Sequence, residues 1–443
     1  MTMFPGDKSK EMIEVMEDLG VMQTRPFAID LEHCNGMYLK TVDGQDIFDW
    51  TGYYGSKLIG HNHSCYFDQI YEKKILLAAR NKMANPDFVT KPLVDFYKFL
   101  RDNAPKCISN SNMKVYTVNS GAEAVENAIK YCLSKHYAEY QHSDIINHTP
   151  KFICFENAFH GRTLYALSLT DMPYDNSATE AFRYSIQAPH RLPFPTSIGE
   201  AKRVIEAARA LFEDEKELGL IAGLIAEPML GAGGNLVAPD GFFKELNELC
   251  HDYCVPMIFD EVQTSGGQIG SMWMTDTLDL TYAPNVVVSA KKFGCGVIYM
   301  KDKLKDEVLD STWSGNLVDM IRVMHEFDWV KRDNLIERVP EKSKVLVDGL
   351  NKLKDKYPNI IDSVHGVGLY QGFSVCHRGT LDAQKNQRNQ IISTLLHKYG
   401  TLVLGAGSYS IRVRPPLTVS VLDIAHFINN LDAALREIQE IPI

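Results

Sequence analysis

The stretch VYTVNSGAEAVENAIK, residues 115–130, passes from a β-branched apolar run to a helical pattern with only Asn119-Ser120-Gly121-Ala122 between them. Ala124, Ala128 and Cys132 then recur at four-residue spacing, which predicts a helix over 121–135. A strand that turns directly into a helix aims free backbone N–H groups and the positive helix end at one spot, which suits an anion such as a phosphate. The same residues also read as ordinary capping, with Ser120 as N-cap and Glu123 completing a capping box. Both readings stay open on this stretch alone.

Outward from it, four more short β-rich runs recur: Lys151–Phe155, Leu220–Ala226, Pro256–Asp260 and Asn285–Ser289. Near-continuous apolar runs such as GLIAGLIAE and VPMIFDE fit strands covered on both faces by helical crossovers. A helical pattern over Gly199–Glu215 adds to the alternation. The fold class predicted is α/β, with a mainly parallel, doubly wound sheet in a large domain. Before it, Asp43-Gly44 between two alternating runs predicts a hairpin over 36–49. After Asn316, helical patterns at Val318–Val330 and Val339–Lys356 lead to Gly366–Phe373, Ile391–Tyr399 and Ser410–Val413, a smaller α+β unit. The division expected is 1–60 as an N-terminal segment joining the small domain, 61–324 as the large domain and 325–443 as the small one.

A chain of 443 residues exceeds the roughly 250–300 residues that one core organises, in keeping with two compact units. With 45% hydrophobic and 23% charged residues it has ordinary globular composition. A formal charge of −10 repels phosphate backbones, and no gathering of Lys and Arg offsets it, so no nucleic-acid partner is expected. The most apolar stretch, Leu218–Leu230, is broken by Glu227 and Pro228 and falls short of the ~20 residues that span a bilayer. No membrane segment is expected. The N-terminus lacks the apolar centre of a signal peptide and reads as a polar-faced helix, pointing to a cytoplasmic protein. Nine scattered cysteines look like reduced core residues. Cys250 and Cys254 could share a helix face, yet no second ligand pair follows at zinc-like spacing, so no metal is expected.

Two strand ends carry chemistry. Pro256-Met-Ile-Phe-Asp260-Glu261 places a carboxylate where open α/β sheets bind ligands. A charge there needs a cationic partner. Val286-Val-Val-Ser-Ala-Lys291-Lys292-Phe-Gly-Cys-Gly ends another strand in a lysine pair followed by two glycines. A lysine in a dry site has a depressed pKa and attacks carbonyls, whereas a lysine at an open strand end is only solvated.

In order along the chain stand NSGAEA at 119–124, FHGRT at 159–163, EP at 227–228, FDEVQ at 259–263, a lysine at 292, STWSGN at 311–316 and RVRPPL at 412–417. From about Arg25 to Leu435 the chain resembles the class III (ω-) aminotransferases, which bind pyridoxal 5'-phosphate on the fold-type I scaffold. DWTGYYGS at 49–56, NKMAN at 81–85, STWSGNLVDM and RVRPPLTVS look most like L-lysine 6-aminotransferases, with 4-aminobutyrate aminotransferases next.

The resemblance implies a role for each matching residue. Lys292 would bond the cofactor aldehyde and then shuttle a proton; its spacing to Gly296 and Tyr299 favours it over Lys291. Asp260 would keep the pyridine nitrogen protonated, and Gln263 would bond the ring hydroxyl. Ser120, Gly121 and Ala122 would hold the phosphate, with Thr312 reaching it from a second subunit, which implies a homodimer. Phe159 would stack on the ring. Arg162 and Arg412 would bind carboxylates, Arg414 being the competing candidate beside Pro415-Pro416. Tyr53 or Tyr54 would line the substrate pocket, and His160 reads as structural.

One departure stands out: related enzymes carry a glutamate in a QGE- or QSE-like segment after Glu-Pro, which pairs with the distal arginine, and here Ala232 occupies that place. The reaction expected moves the terminal amino group of a small ω-amino donor, L-lysine giving 2-aminoadipate semialdehyde, to a 2-oxo acid, either 2-oxoglutarate or pyruvate. The rival readings are a 4-aminobutyrate, ornithine or diamine aminotransferase, a pyridoxal-phosphate racemase or epimerase, and a non-catalytic cofactor-binding homologue.

Overall fold

The computed structural model describes residues 4–21, 25–142, 149–172, 186, 188–215, 219–304, 309, 311–376 and 381–439. After a helix at Asp7–Asp18, the expected hairpin pairs β1 (Tyr38–Lys40) with β2 (Asp46–Asp49), Tyr38 opposite Phe48 and Lys40 opposite Asp46. Gly44 turns it with a φ of +83°, where a Cβ would be strained.

The middle of the chain supplies β3 (Lys114–Val118), β4 (Lys151–Phe155), β5 (His190–Leu192), β6 (Ile221–Ala226), the short pair β7 (Met229–Leu230) and β8 (Leu236–Val237), then β9 (Met257–Asp260), β10 (Val286–Ser289) and β11 (Gly296–Met300). Seven of these make one sheet in the order β3-β11-β10-β9-β6-β4-β5. The pairs β4–β5, β4–β6, β6–β9 and β9–β10 are parallel, while β11 runs antiparallel to both β10 and β3. Strands β6, β9, β10 and β11 are buried along their whole length, which is why they read as unbroken apolar runs. The helix Gly121–Tyr140 lays Ala124, Ala128 and Cys132 into the core shared with Ile225, Ile258, Val288 and Ile298. The five strands expected from sequence are present; β5 and β11 are additions, and β11 is the one that departs from the parallel rule.

The C-terminal part adds β12 (Ile361–Val367), β13 (Tyr370–Val375), β14 (Thr401–Leu402), β15 (Leu404–Ala406) and β16 (Ser410–Val413). β14 joins β2 in parallel, and the others form a four-stranded sheet in the order β12-β13-β16-β15. Helix Val421–Gln439 packs against helices Val339–Lys356 and Leu381–Tyr399 beside it.

Two compact units result: Met1–Asp68 with Arg338–Val364 and Gly368–Ile443, and Gln69–Glu337 with His365–Val367. The sequence put the second boundary near 325, inside helix Leu317–Arg332. That helix instead packs on helices Gln69–Arg80 and Lys91–Asp102 and so belongs to the larger unit. Among the described residues no helix is long and apolar enough to cross a membrane.

Candidate active site

Parallel strands end together, so the turns after β3, β9 and β10 converge at the carboxyl edge of the larger sheet. There they wall a cavity of about 420 Å³, lined among others by Asn119, Ser120, Gly121, Ala122, Phe159, His160, Arg162, Glu227, Asp260, Gln263 and Lys291.

At one side the helix Gly121–Tyr140 presents its N-terminus. Ser120 Oγ accepts from the Glu123 amide at 3.2 Å, so the capping reading holds; Glu123 Oε2 reaches back to the Asn119 amide at 2.7 Å, one residue further out than a standard capping box. Gly121 and Ala122 still face the cavity. A Cβ on Gly121 would stand 3.1 Å from both Val262 methyls, and one on Gly296 would stand 2.2 Å from the Ser120 carbonyl. The turn is therefore held tightly from behind, as a backbone cradle for an anion requires.

Asp260 ends β9 and is 4% exposed. Its Oδ2 meets His160 Nδ1 at 2.8 Å and its Oδ1 accepts from the Val262 amide at 3.1 Å. The imidazole is the partner the buried carboxylate requires, so His160 has a definite place in the site that its sequence neighbourhood did not assign. Gln263 Oε1 is buried without a hydrogen-bond partner among the described residues. A buried acceptor left unpaired costs free energy that a ligand hydroxyl would recover. The site thus offers an anion cradle, a buried carboxylate, an unsatisfied acceptor and the ring of Phe159 around one space, a set that fits a phosphorylated, planar, nitrogen-containing ligand.

The lysine pair separates. Lys291 takes a left-handed φ of +48° and lines the cavity. Lys292 is not on the cavity wall: it is 2% exposed, its Nζ donates to the Gln263 carbonyl at 2.5 Å, and its stem runs beside Gly266, whose Cβ would stand 2.9 Å from Lys292 Cδ. Spacing along the sequence favoured Lys292; the geometry favours Lys291, because a left-handed residue at the strand end reverses which of two neighbours turns inward.

Arg162 is exposed at the cavity, with its guanidinium carbon 5.7 Å from the Phe159 ring centre. Thr312 lies exposed in the 311–316 loop and is not a lining residue of this chain's cavity. Asn85 holds that loop, donating to the Trp313 carbonyl at 2.8 Å and the Gly315 carbonyl at 3.2 Å. Ala232 is buried in the turn between β7 and β8.

The remaining expected residues belong to the smaller unit. Arg412, on β16 opposite Gly372, is 6% exposed. Arg414 is fully buried with its guanidinium 5.3 Å from the Tyr370 ring centre and its stem against Gly55, a packing role. Tyr53 and Tyr54 sit in a left-handed turn with φ of 51° and 61°. Tyr53 packs with its ring 5.1 Å from His61, and burial pushes its hydroxyl up to about 12; Tyr54 is exposed beside Arg25.

Two buried glutamates were legible only as motif letters. Glu261, beside Asp260, accepts from the amides of Met274 and Thr275 and the hydroxyls of Thr264 and Thr275, stapling the loop after β9. Glu227 lines the cavity, and burial pushes it up to about 7. Among the described residues no group of His, Cys, Asp and Glu could hold a metal ion, and none of the nine cysteines is in a disulfide.

Residues 20–435 match the family model for aminotransferase class-III. The L-lysine-epsilon aminotransferase of Amycolatopsis lactamdurans is 30% identical over 429 residues, covering 92% of this chain and 91% of that one. The mitochondrial 4-aminobutyrate aminotransferase of Sus scrofa is 26% identical over 94% of this chain and 86% of its own. Among solved structures, lysine aminotransferase from Mycobacterium tuberculosis in the internal aldimine form superposes with a TM-score of 0.85 at 29% identity, covering 96% of this chain and 99% of that one. A match that runs through both units, on a cavity suited to the same cofactor, leaves no part of the chain outside the comparison except its ends: it belongs to the class-III aminotransferases and is a pyridoxal-phosphate-dependent enzyme of fold type I.

Proposed function

We propose that the enzyme moves the terminal amino group of L-lysine to a 2-oxo acid, giving 2-aminoadipate semialdehyde. The observation that carries this reading is the likeness to L-lysine-epsilon aminotransferases at 30% and 31% identity over 92% of the chain, ahead of the 26% to 4-aminobutyrate aminotransferase.

When bound, pyridoxal phosphate supplies an aldehyde for the amine and a ring that draws off the electron pair left by the departing proton. Lys291 would hold the cofactor through its Nζ, and the same amine would move the proton at the amine-bearing carbon. Asp260, oriented by His160, keeps the ring nitrogen protonated. Gln263 bonds the ring hydroxyl, Phe159 supports the ring face, and the amides of Gly121 and Ala122, beside Ser120, hold the phosphate. Arg162 and Arg412 bind substrate carboxylates, with Tyr53 or the more exposed Tyr54 near the substrate.

Thr312 completes the phosphate site of a second subunit in a homodimer. Helix Gln69–Arg80 and the segment after it support that assembly, since they expose Ile70, Leu76, Leu77, Phe88 and Val89, an apolar surface that a second copy would cover. Nine cysteines without a disulfide suit the cytoplasm. Ala232 stands where related enzymes carry a glutamate, and the acceptor is a 2-oxo acid, either 2-oxoglutarate or pyruvate.

Half-reaction absorbance changes with L-lysine, L-ornithine and 4-aminobutyrate, then with 2-oxoglutarate and pyruvate, test the reading. L-Lysine is expected to give the highest kcat/KM together with a stoichiometric aldehyde. A tenfold preference for either other donor would overturn the lysine assignment, and racemised lysine without an aldehyde would make the enzyme a racemase.

A further inference from the structure

We infer that Glu227 is a positioning residue of the transamination site: its carboxyl ties the segment carrying Phe159 and His160 to the turn carrying Ala232, and so sets the tilt of the aromatic face under the cofactor ring. The inference rests on the ring-stacking role given above to Phe159.

Glu227 follows the end of β6 and is 3% exposed. Its Oε1 accepts from the Phe159 amide at 2.9 Å and its Oε2 from the Gly231 amide at 3.1 Å. One rigid carboxyl therefore spans two loops that are far apart in sequence. A second contact presses the same loops together: a Cβ on Gly233 would stand 2.7 Å from the Asn157 carbonyl.

The Phe159 segment is pinned on its other side too. The His160 amide donates to Thr170 Oγ1 at 3.0 Å, that hydroxyl meets the Gly161 carbonyl at 3.0 Å, and His160 Nδ1 meets Asp260 at 2.8 Å. A Cβ on Gly161 would stand 2.8 Å from Ala122 Cβ at the anion cradle. With one end of the segment fixed by Thr170 and Asp260, Glu227 supplies the tie at its start. Burial raises this carboxyl to about 7 while His160 and its two amide donors pull the other way. A group buried at such a cost, with no salt bridge to it among the described residues, is explained by the two amides it serves.

The test uses the holoenzyme and reads the visible circular dichroism of the bound cofactor, a measure of ring orientation, beside kcat, donor KM, cofactor Kd and the thermal midpoint. Glu227→Gln keeps the shape but turns an NH2 group toward one of the two amides. Expected are a changed visible band, a kcat lowered with donor KM nearly unchanged, and a cofactor Kd raised about tenfold, the equivalent of about 1.4 kcal/mol. If Glu227→Gln does not fold, Glu227→Asp serves, since its carboxyl is one methylene short of spanning both loops and should show the same changes. A folded variant with the wild-type band, kcat and Kd overturns the inference. Phe159→Ala is measured in parallel: if it also leaves the band unchanged, the stacking reading itself is wrong, whereas a band altered by Phe159→Ala but not by the Glu227 variants rejects the role of Glu227 alone.

Discussion

Lys291 and Lys292 show how little a one-residue step means in sequence and how much in space. The left-handed φ of +48° at Lys291 turns that side chain to the cavity, while Lys292 is tied to the Gln263 carbonyl at 2.5 Å. Borohydride reduction of the holoenzyme followed by peptide mapping should label Lys291. Lys291→Ala should lower turnover by roughly a thousandfold or more, the scale for losing a covalent nucleophile. Lys292→Ala should instead cost about 1–3 kcal/mol of stability, the scale of a broken buried hydrogen bond, and keep most activity. A label on Lys292 would reverse the assignment.

Glu227 gives a second residue-scale outcome, in the apo-protein. Its carboxyl rises from 4.5 unfolded to about 7 folded because burial penalises the charge. A raised carboxyl contributes stability in full below pH 4.5 and loses it as pH climbs through 7. Urea denaturation at pH 5 and pH 8 should therefore show wild type losing roughly 2–3 kcal/mol relative to Glu227→Gln between those two values. An equal pH dependence of the two proteins would show that Glu227 is not buried as a titrating group.

At the scale of elements, β11 is the piece that makes the anion cradle rigid. It runs antiparallel between β10 and β3, with Gly296 opposite Val118, and so brings a glycine directly behind the Ser120 carbonyl. A side chain there would stand 2.2 Å from a backbone oxygen and 2.6 Å from Val118 Cγ2, and the oxygen belongs to the turn that should hold phosphate. Gly296→Ala is expected to cost about 1–3 kcal/mol of stability, the usual penalty of overpacking, and to weaken pyridoxal phosphate binding as well. Equilibrium dialysis beside urea denaturation checks both; a loss of stability with unchanged cofactor affinity would mean that the turn is not the phosphate cradle. Loop 311–316 is held by a different device, the two bonds from Asn85, which explains why NKMAN and STWSGN matter together although 225 residues separate their last and first members.

For the whole molecule, the exposed apolar residues of Gln69–Arg80 set the expectation. Ile70 and Leu77 are seven residues apart, hence on one helix face, and are 67% and 63% exposed. Light scattering should give twice the 50.0 kDa of one chain. Ile70→Lys with Leu77→Glu should halve that mass and weaken cofactor retention, since in the proposed homodimer Thr312 would reach a second subunit's phosphate. A dimer that survives both charges would move the interface elsewhere.

What the sequence alone determined is local in origin. Buried parallel strands need unbroken apolar runs and a helix after each turn, so the strand-helix turn at Asn119–Ala122, the carboxylate ending VPMIFDE and the α/β class could all be read from neighbouring residues. The motifs from NSGAEA to RVRPPL, standing in one order along the chain, did the rest for the family. Tertiary structure alone decided what depends on partners distant in the chain. The antiparallel placing of β11 follows from its pairing with Val118, not from the composition of GVIYM. Helix Leu317–Arg332 falls to the larger unit because of the helices it meets at Gln69–Arg80 and Lys91–Asp102. His160 joins the site through a carboxylate 100 residues away, and Glu227 through amides at Phe159 and Gly231. A buried polar group must find its partner wherever the fold brings one, and no periodicity in the sequence records where that is.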